Sequence, residues 1–199
     1  SSGSPFKTLK HAIEHVTPGD TVKLKKGTHT GDGNREIDIT TMNSNIDFAN
    51  LKNIVITSDE GAASTIIHAN DQGRHFTISG NQDKTIDSTF QIIGLTFTGG
   101  KRSDYGGSVA IFGQSYTNPN NTTQRLTTHM QPKFKDCVFI DNQVTRNDGG
   151  NGGAVYIENA APIFESCVFD SNYANGTGGA MDIGGSNDVY GDTVWVYKS

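Results

Sequence analysis

Two short segments of the sequence contain basic residues that are candidates for the chemistry of a polysaccharide lyase. That reaction requires a base that removes the proton beside a uronate carboxylate and a cation that holds the carboxylate. Lys101 and Arg102 lie together in the Gly-rich segment 99–105, and His75 follows Arg74 earlier in the chain. The alternative is that Lys101 and Arg102 form a solvated corner and that His75 lies on the exposed face of a strand. The sequence has no Asp-Asp pair of the kind that supplies acid and base carboxylates in glycoside hydrolases.

Turns rich in side-chain oxygens are the places where the sequence could hold a metal ion. Segments 31–34 and 147–153 combine Gly with Asp and Asn, whose oxygens are ligands that Ca²⁺ prefers. Neither segment contains the ligand series of an EF-hand, so we interpret both as turns that could hold at most a structural Ca²⁺. No catalytic metal and no organic cofactor are expected.

The two cysteines stand in matching contexts, DCVF at 136–139 and SCVF at 166–169. If these segments stack, the Cα atoms of Cys137 and Cys167 lie about one strand spacing apart, a distance that a disulfide tolerates. The alternative is a reduced pair that faces inward, because Cys packs as a small hydrophobic residue. We favour the reduced pair, since disulfide torsions are not easily met between aligned neighbours.

Residues 113–131 interrupt the pattern of the chain with a polar insertion. We predict a loop that leaves the fold at one corner, and long loops of this kind are frequently functional. Its candidate contact residues are Tyr116, Asn118 and Arg125, whereas His129 has no identifiable partner. The chain also contains three Asn-x-Ser/Thr sequences that could accept a glycan. Their asparagines are Asn120, Asn121 and Asn175.

Short runs of alternating apolar residues recur along the chain and must position these candidates. Two units alternate: PKFKDCVFIDN at 132–142 matches PIFESCVFDSN at 162–172, and GGAVYI at 152–157 matches GGAMDI at 178–183. A pair of units spans about 22 to 33 residues and contains short strands with no helix between them. This period is typical of a parallel β-helix, in which each strand pairs with its counterpart one turn away. An antiparallel sandwich would need hairpin turns that are nearly absent.

The strands and corners of this β-helix can be assigned in part. Residues 91–97 are predicted as one strand, and alternation puts Ile66 on the inward face. The Gly pairs before the GGA-type strands mark corners where φ is positive. Asn142 and Asn172 occupy equivalent corners, where Asn tolerates the left-handed conformation and stacked amides can form a ladder of hydrogen bonds.

The chain begins with a pattern that predicts a helix over residues 4–16. Ser4 is the expected N-cap and Pro5 the first helical residue. Phe6, Leu9, Ile13 and Val16 then form one apolar stripe at helical spacing. A helix followed at once by strands can cover the open end of a β-solenoid.

The opening SPFKTL at 4–9, followed by PGDTV at 18–22 and KGT at 26–28, resembles the start of secreted right-handed β-helix proteins of the pectate-lyase-like superfamily. The Gly-Gly-Ala units and the Phe-x-x-Asn units at 139–142 and 169–172 resemble the repeats of polymorphic outer membrane proteins, which are surface-exposed adhesins. The resemblance implies an all-β fold, a right-handed parallel β-helix with an N-terminal capping α-helix, and an extracellular or cell-surface location.

Composition narrows the function classes. Of the 199 residues 24 are Gly, 33% are hydrophobic, and the net charge is −5, so no basic surface for nucleic acid is expected. No apolar run reaches the ~18 residues of a transmembrane helix. We expect one domain over residues 1–199, with solenoid coils over 21–199, as part of a longer chain. The expected function is a non-catalytic structural or adhesive module whose partners are glycans or neighbouring surface proteins; the alternative is a uronate lyase.

Overall fold

The computed structural model describes residues 5–43, 45–128, 130–146, 149–184, 189–190 and 195–197. The described part of the chain is almost entirely β-structure, with one short α-helix and one 3₁₀ helix, Phe48–Leu51. The helix α1 is Leu9–Ile13, and the strands are β1 (Thr21–Leu24), β2 (Gly27–His29), β3 (Ile37–Thr40), β4 (Val55–Ser58), β5 (Thr65–His68), β6 (Phe76–Ser79), β7 (Gln91–Ile93), β8 (Thr96–Thr98), β9 (Lys101–Arg102), β10 (Val109–Phe112), β11 (Ser115–Asn118), β12 (Asn121–Thr127), β13 (Lys133–Lys135), β14 (Val138–Ile140), β15 (Gln143–Val144), β16 (Val155–Glu158), β17 (Ile163–Glu165), β18 (Val168–Asp170), β19 (Tyr173–Ala174), β20 (Met181–Gly184), β21 (Val189–Tyr190) and β22 (Trp195–Tyr197).

Three parallel sheets contain most of these strands. The first sheet has the order β1-β4-β7-β13-β17-β22, the second β2-β5-β8-β14-β18 and the third β3-β6-β10-β16-β20. A short fourth sheet, β9-β15-β19, lies between the second and third sheets in chain order. The chain passes from the first to the second to the third sheet and then returns to the first, and we call each such passage a coil. This topology is compatible with a β-solenoid.

The repeats read from the sequence pair with each other in register. Val138 to Ile140 lie beside Val168 to Asp170, and Val155 to Glu158 lie beside Met181 to Gly184. Residues 30 or 26 positions apart in the sequence are therefore neighbours across a parallel pair, as the alternating units predict.

Corners between sheets depend on residues with positive φ. Gly106, Gly152 and Gly178 have φ of 58°, 69° and 63°, which confirms the predicted role of the Gly pairs. At the predicted asparagine corners the left-handed residues are instead Asp141 and Ser171, with φ of 53° and 52°, so that part of the prediction is wrong. Each asparagine follows the bend and points its side chain into the corner.

Two strand assignments differ from the sequence-based prediction. Residues 91–97 do not form one strand, because Gly94, with φ of 65°, turns the chain from the first sheet into the second. In β5 the fully buried isoleucine is Ile67, and Ile66 faces outward. Ile66 and Ile67 are adjacent, so this strand has an apolar side chain on each of its faces. Alternation alone therefore did not show which face points inward.

The core runs along the axis as columns of stacked side chains. Phe139 stacks between Phe97 and Phe169, with ring centroids 5.3 and 4.9 Å apart, and Phe134 stacks on Phe164 at 5.1 Å. These offset ring pairs contribute about 0.5–1.5 kcal/mol each beyond the burial of their area. The stacks join one coil to the next.

The N-terminal helix is shorter than predicted. It begins at Leu9, and Thr8 is the N-cap, its side chain accepting a hydrogen bond from the N–H of His11. Pro5 and Phe6 precede the helix, and Ser4 lies outside the described residues. The start is set by Thr8 and by Asn34, whose side-chain oxygen accepts from the N–H of Leu9 at 3.0 Å.

Leu9, Ala12 and Ile13 of α1 are buried, and Leu9 and Ile13 belong to the main core cluster. No helix among the described residues is long and apolar enough to cross a membrane.

The predicted loop at 113–131 contains regular structure among its described residues. Strands β11 and β12 pair antiparallel as a hairpin, and β12 also pairs parallel with β21. The hairpin forms because residues 121–127 are rich in Thr, which favours strands, and because Asn118 and Asn121 support the turn with side-chain hydrogen bonds to nearby N–H groups.

Candidate functional site

Four charged residues from successive coils meet at one corner of the molecule. Glu36 directly precedes β3, Arg74 lies two residues before β6, and Arg102 ends β9, two residues before Asp104. We call these four residues the corner charge cluster. Stacking of the coils brings together side chains that are up to 68 positions apart in the sequence, from Glu36 to Asp104.

Carboxylates bind both guanidinium groups of the cluster. Arg102 donates from Nε and Nη2 to the two oxygens of Asp104, at 2.9 Å each, and from Nη1 to Glu36 at 3.1 Å. Arg74 donates from Nη2 to Asp104 at 2.5 Å, and its backbone N–H donates to Glu36 at 3.0 Å. The bidentate contact fixes the Arg102 guanidinium in one plane.

Burial and charge act differently on the members of the cluster. Arg74 is 3% exposed, and burial lowers the pKa of its guanidinium. Hydrogen bonds to Asp104 raise the pKa of Arg102. Burial tends to raise the pKa of Asp104, but the hydrogen bonds from Arg102 and the charge of Arg74 outweigh it and lower that pKa to about 2. The cluster thus pairs two guanidinium groups with two carboxylate groups, and their formal charges balance.

His75 lies inside the core and not on an exposed strand face, so that interpretation is wrong. The ring is fully buried, with Nδ1 2.9 Å from the hydroxyl of Ser108 and Nε2 3.1 Å from the carbonyl oxygen of Ile67. Because Nε2 faces a carbonyl, it carries the proton, and Nδ1 accepts from Ser108. Burial lowers the pKa of His75 to about 4, so the ring is neutral at pH 7.

The three residues that the lyase hypothesis groups have different surroundings in the structure. Lys101 is half-buried in β9, where its N–H donates to the carbonyl of Gly73 at 2.9 Å. Arg102 belongs to the corner charge cluster, and His75 is enclosed by core residues. A raised pKa makes Arg102 a cation that can hold a carboxylate rather than a base that can remove a proton.

The predicted contact residues of the insertion lie on the hairpin. Tyr116 pairs with Leu126 across the two strands and is half-buried. Asn118 donates to Gln124 at 2.6 Å, and Arg125 donates to the side chain of Ser115. These contacts hold the polar side chains on a two-stranded antiparallel element.

All three candidate glycosylation sites are exposed. Asn120 and Asn121 lie at the turn of the hairpin, and Asn175 lies just beyond β19. Their use stays a prediction.

Cys137 and Cys167 have free thiols in neighbouring coils. The sulfur of Cys137 lies 3.4 Å from the carbonyl oxygen of Ile92, and that of Cys167 lies 3.5 Å from the carbonyl oxygen of Phe134. Each thiol thus makes the same contact with the coil before it. Burial raises the pKa of Cys137, whereas a hydrogen bond with Cys137 lowers the pKa of Cys167.

The Gly-rich turn at 31–34 uses its polar groups within the protein. Asp32 pairs with Arg35 at 2.6 Å, and Asn34 binds the start of α1. Asn147 and Asp148 of the second predicted turn lie outside the described residues. Within the described ranges, no group of three or more His, Cys, Asp or Glu side chains could hold a metal ion, and a structural Ca²⁺ stays a prediction.

A cavity of about 420 Å³ lies apart from the corner charge cluster, beside α1 and β1. Its apolar walls include Leu9 and Val16, and Lys23 and His29 are among its polar lining residues. The sequence analysis did not predict it, because it forms between the helix and the first coil.

Sequence reasoning also missed Glu36 and Asp104. The strand register could have indicated Glu36. When β3 pairs with β6 so that Ile37 lies beside Phe76, Glu36 lies beside His75 and next to Arg74.

Comparisons with protein-family models, with curated proteins and with solved structures find no match for this chain.

Proposed function

We propose that the chain is a non-catalytic, extracellular β-solenoid module that serves a structural or adhesive role in a larger surface protein. The observation that carries the proposal is the continuity of side-chain columns along the axis. Phe, Asn, Cys and apolar strand residues each contact their counterpart in the next coil. Such a stack makes a stiff rod whose outer surface is free for contacts.

The resemblance to right-handed β-helices of the pectate-lyase-like superfamily and to polymorphic outer membrane proteins supports the same proposal. In this reading the coils wind to the right, and α1 caps the first of them. Coverage of the end by a helix protects unpaired strand edges, which agrees with the burial of Leu9 and Ile13 against the core.

The arrangement of the charged residues favours a structural role over a lyase. Arg102 and Arg74 are neutralised by Asp104 and Glu36, and His75 is enclosed. A uronate carboxylate would have to displace one of these carboxylates from Arg102. Neither Arg102, which is a paired cation, nor His75, which is enclosed, can act as the base that a lyase needs in these contacts.

The hairpin β11–β12 is the proposed contact surface for a glycan or a neighbouring surface protein. Residues 121–123 of β12 are exposed, and the two faces of the hairpin carry an aromatic ring, Tyr116, and a cation, Arg125. These groups can stack on a sugar ring and bind hydroxyl or acidic groups.

The test uses polygalacturonate and alginate both as ligands and as substrates. The purified chain is applied to immobilised polysaccharide to measure retention, and it is incubated with the soluble polymers to measure unsaturated uronate by ultraviolet absorbance. We expect no unsaturated product. If these polymers are the glycan partner, retention weakens when Tyr116→Ala and Arg125→Ala are combined, and the exposed Thr28→Ala in β2 is the matched control.

Formation of unsaturated product in proportion to protein, abolished by Arg102→Gln but retained by Thr28→Ala, would establish the lyase and reject the module. Absence of both retention and product would leave the structural role and remove the adhesive one for these two glycans.

A further inference from the structure

Three strands of the fifth coil end their sheets. In the described part of the chain, β18, β19 and β20 each pair on one side only, with β14, β15 and β16. The first sheet differs, because β22 pairs parallel with β17 in the same register as the coils before it. We call the unpaired side of β18, β19 and β20 the terminal edge.

Side chains at the terminal edge are more exposed than their counterparts one coil earlier. Ile183 is 55% exposed, whereas Ile157, its partner in β16, is fully buried. Phe169 and Met181 are only partly buried, although Phe139 and Val155 beneath them are fully buried. The terminal edge therefore combines unpaired strand edges with an incompletely covered core.

At the opposite end of the stack, α1 covers part of the first coil. Leu9 and Ile13 of α1 belong to the main core cluster, and Ile37 of the first coil is fully buried. A second copy of this chain cannot place its first coil on the terminal edge unless α1 moves away. Head-to-tail stacking of identical copies is thus disfavoured by the structure itself.

We propose that the terminal edge binds a further parallel β-coil of the same repeat type. This inference rests on the proposed function, because the larger surface protein supplies that coil. The coil would place an apolar ring over Phe169, an apolar side chain over Met181 and an Asn over Asn172.

The preceding coils show why those residue types fit. Phe97, Phe139 and Phe169 form a continuous stack of rings, and a further ring at the same spacing covers the open face of Phe169. Asn142 and Asn172 stack in successive coils, and we call their side chains the amide column. The side-chain oxygen of Asn142 accepts from the N–H of Gly100, and that of Asn172 accepts from the N–H of Asn142. An Asn in the next coil repeats this contact with the N–H of Asn172.

Continuity with β22 sets the register of the incoming coil. Ile163 pairs with Trp195 and Glu165 with Tyr197, an offset of 32 residues. In the fifth coil Ser166 follows Glu165 directly. The counterpart of Ser166 therefore comes directly after Tyr197, the residue that pairs with Glu165, and the strand over β18 starts two residues after that counterpart.

The experiment appends a coil in that register. The extended protein carries a copy of residues 166–184 directly after Tyr197, and its matched control carries the same copy with the changes F169S and N172G. Hydrogen–deuterium exchange of the amides in β18 and β20 is measured by mass spectrometry for the original chain, the extended protein and the control. We expect exchange in the extended protein to be about tenfold slower than in the original chain, and the control to show little slowing.

Three results would overturn the inference. Equal slowing by both extensions would mean that the added length, and not the ring and amide contacts, covers the edge. Strong protection in the original monomeric chain would mean that the edge is already occupied, and a concentration-dependent dimer that protects it would make a second copy the occupant. The readout is independent of polysaccharide binding and cleavage, so it separates this inference from the proposed function.

Discussion

The side-chain oxygen of Asn172 accepts two hydrogen bonds from Asn142 in the preceding coil, one from the backbone N–H and one from the side-chain amide, each of 3.0 Å. Asn142 in turn donates to the carbonyl oxygen of Phe97 and accepts from the N–H of Gly100. One buried amide thus satisfies polar groups of three coils at a corner where the backbone leaves regular pairing.

Replacing Asn142 by Ala should destabilise the protein by about 3 kcal/mol, because the N–H of Gly100 and the carbonyl of Phe97 lose their buried partner. Asn172→Ala should cost less, because Asn172 is only half-buried. Urea unfolding followed by circular dichroism measures both free energies. The exposed Asn120→Ala is the control, and an equal effect of Asn142→Ala and Asn120→Ala would contradict the role of the amide column.

The stack of Phe97, Phe139 and Phe169 predicts that the loss of stability on removing a ring is smaller in the fifth coil than in the fourth. Phe139→Ala should lower the free energy of unfolding by about 3–5 kcal/mol, since the ring is fully buried between two others. Phe169→Ala should cost clearly less, because its ring contacts a coil on one side and is only partly buried. Comparing the two variants by urea unfolding tests the order, and the reverse order would show that the fifth coil is better covered than its exposure indicates.

Loss of Asp104 should leave Arg74 charged and buried without its carboxylate. We expect Asp104→Asn to destabilise the fold by about 3 kcal/mol, a value at the lower end of the range for broken buried pairs because Asp104 is partly exposed. Adding Arg74→Met to Asp104→Asn should recover part of that loss. Additive effects of the two substitutions in this double-mutant cycle would mean that the residues do not interact energetically.

The lowered pKa of Asp104 predicts that the stability of the fold depends on pH in the acid range. Its pKa falls from 3.8 to about 2 on folding, so its contribution to stability is complete above pH 4 and disappears as the pH falls toward 2. The difference in unfolding free energy between the original chain and Asp104→Asn should therefore shrink across that interval. A constant difference from pH 5 to pH 2 would argue against the depressed pKa.

His75 predicts a second pH effect at a higher range. Its pKa falls from 6.5 to about 4 on folding, so below pH 6.5 the unfolded chain binds a proton that the folded chain does not. Stability should decline as the pH falls from 6.5 to 4, by about 3 kcal/mol in total. NMR of the histidine rings in the folded protein measures the pKa of His75 directly. A titration of the His75 ring near pH 6.5 would be inconsistent with a buried neutral ring.

The cysteines predict a difference in reactivity. Cys167 is half-buried and has a lowered pKa, whereas Cys137 is fully buried with a raised pKa, so a thiol reagent should label Cys167 first. Mass spectrometry after timed alkylation identifies the labelled residue, and Cys167→Ser is the control. Recovery of a Cys137–Cys167 disulfide peptide from unreduced protein would replace the free pair with a bond between coils.

The sequence alone determined the repeating architecture. The matched units at 132–142 and 162–172 and the Gly pairs at 152–153 and 178–179 predicted parallel pairing in register, and the structure confirms it. These signals are strong because a stacked coil repeats the same local environment, so the same residue types recur at the same spacing. The Gly corners were predictable for the same reason, since a positive φ restricts the choice of residue.

Tertiary structure decided the surroundings of individual polar residues. The buried ring of His75 contacts Ser108 and Ile67, and the ion pair of Arg102 with Glu36 joins residues 66 positions apart. Neither contact has a local signature, because a side chain in a coil meets residues whose distance in sequence depends on every turn and insertion between them. The helix start at Thr8 depended in the same way on Asn34, which is distant in sequence. The hairpin of β11 and β12 depended on pairing between its own two strands. The local sequence pattern specified which segments repeat. Only the stacking of those segments specified which polar side chains are buried or paired.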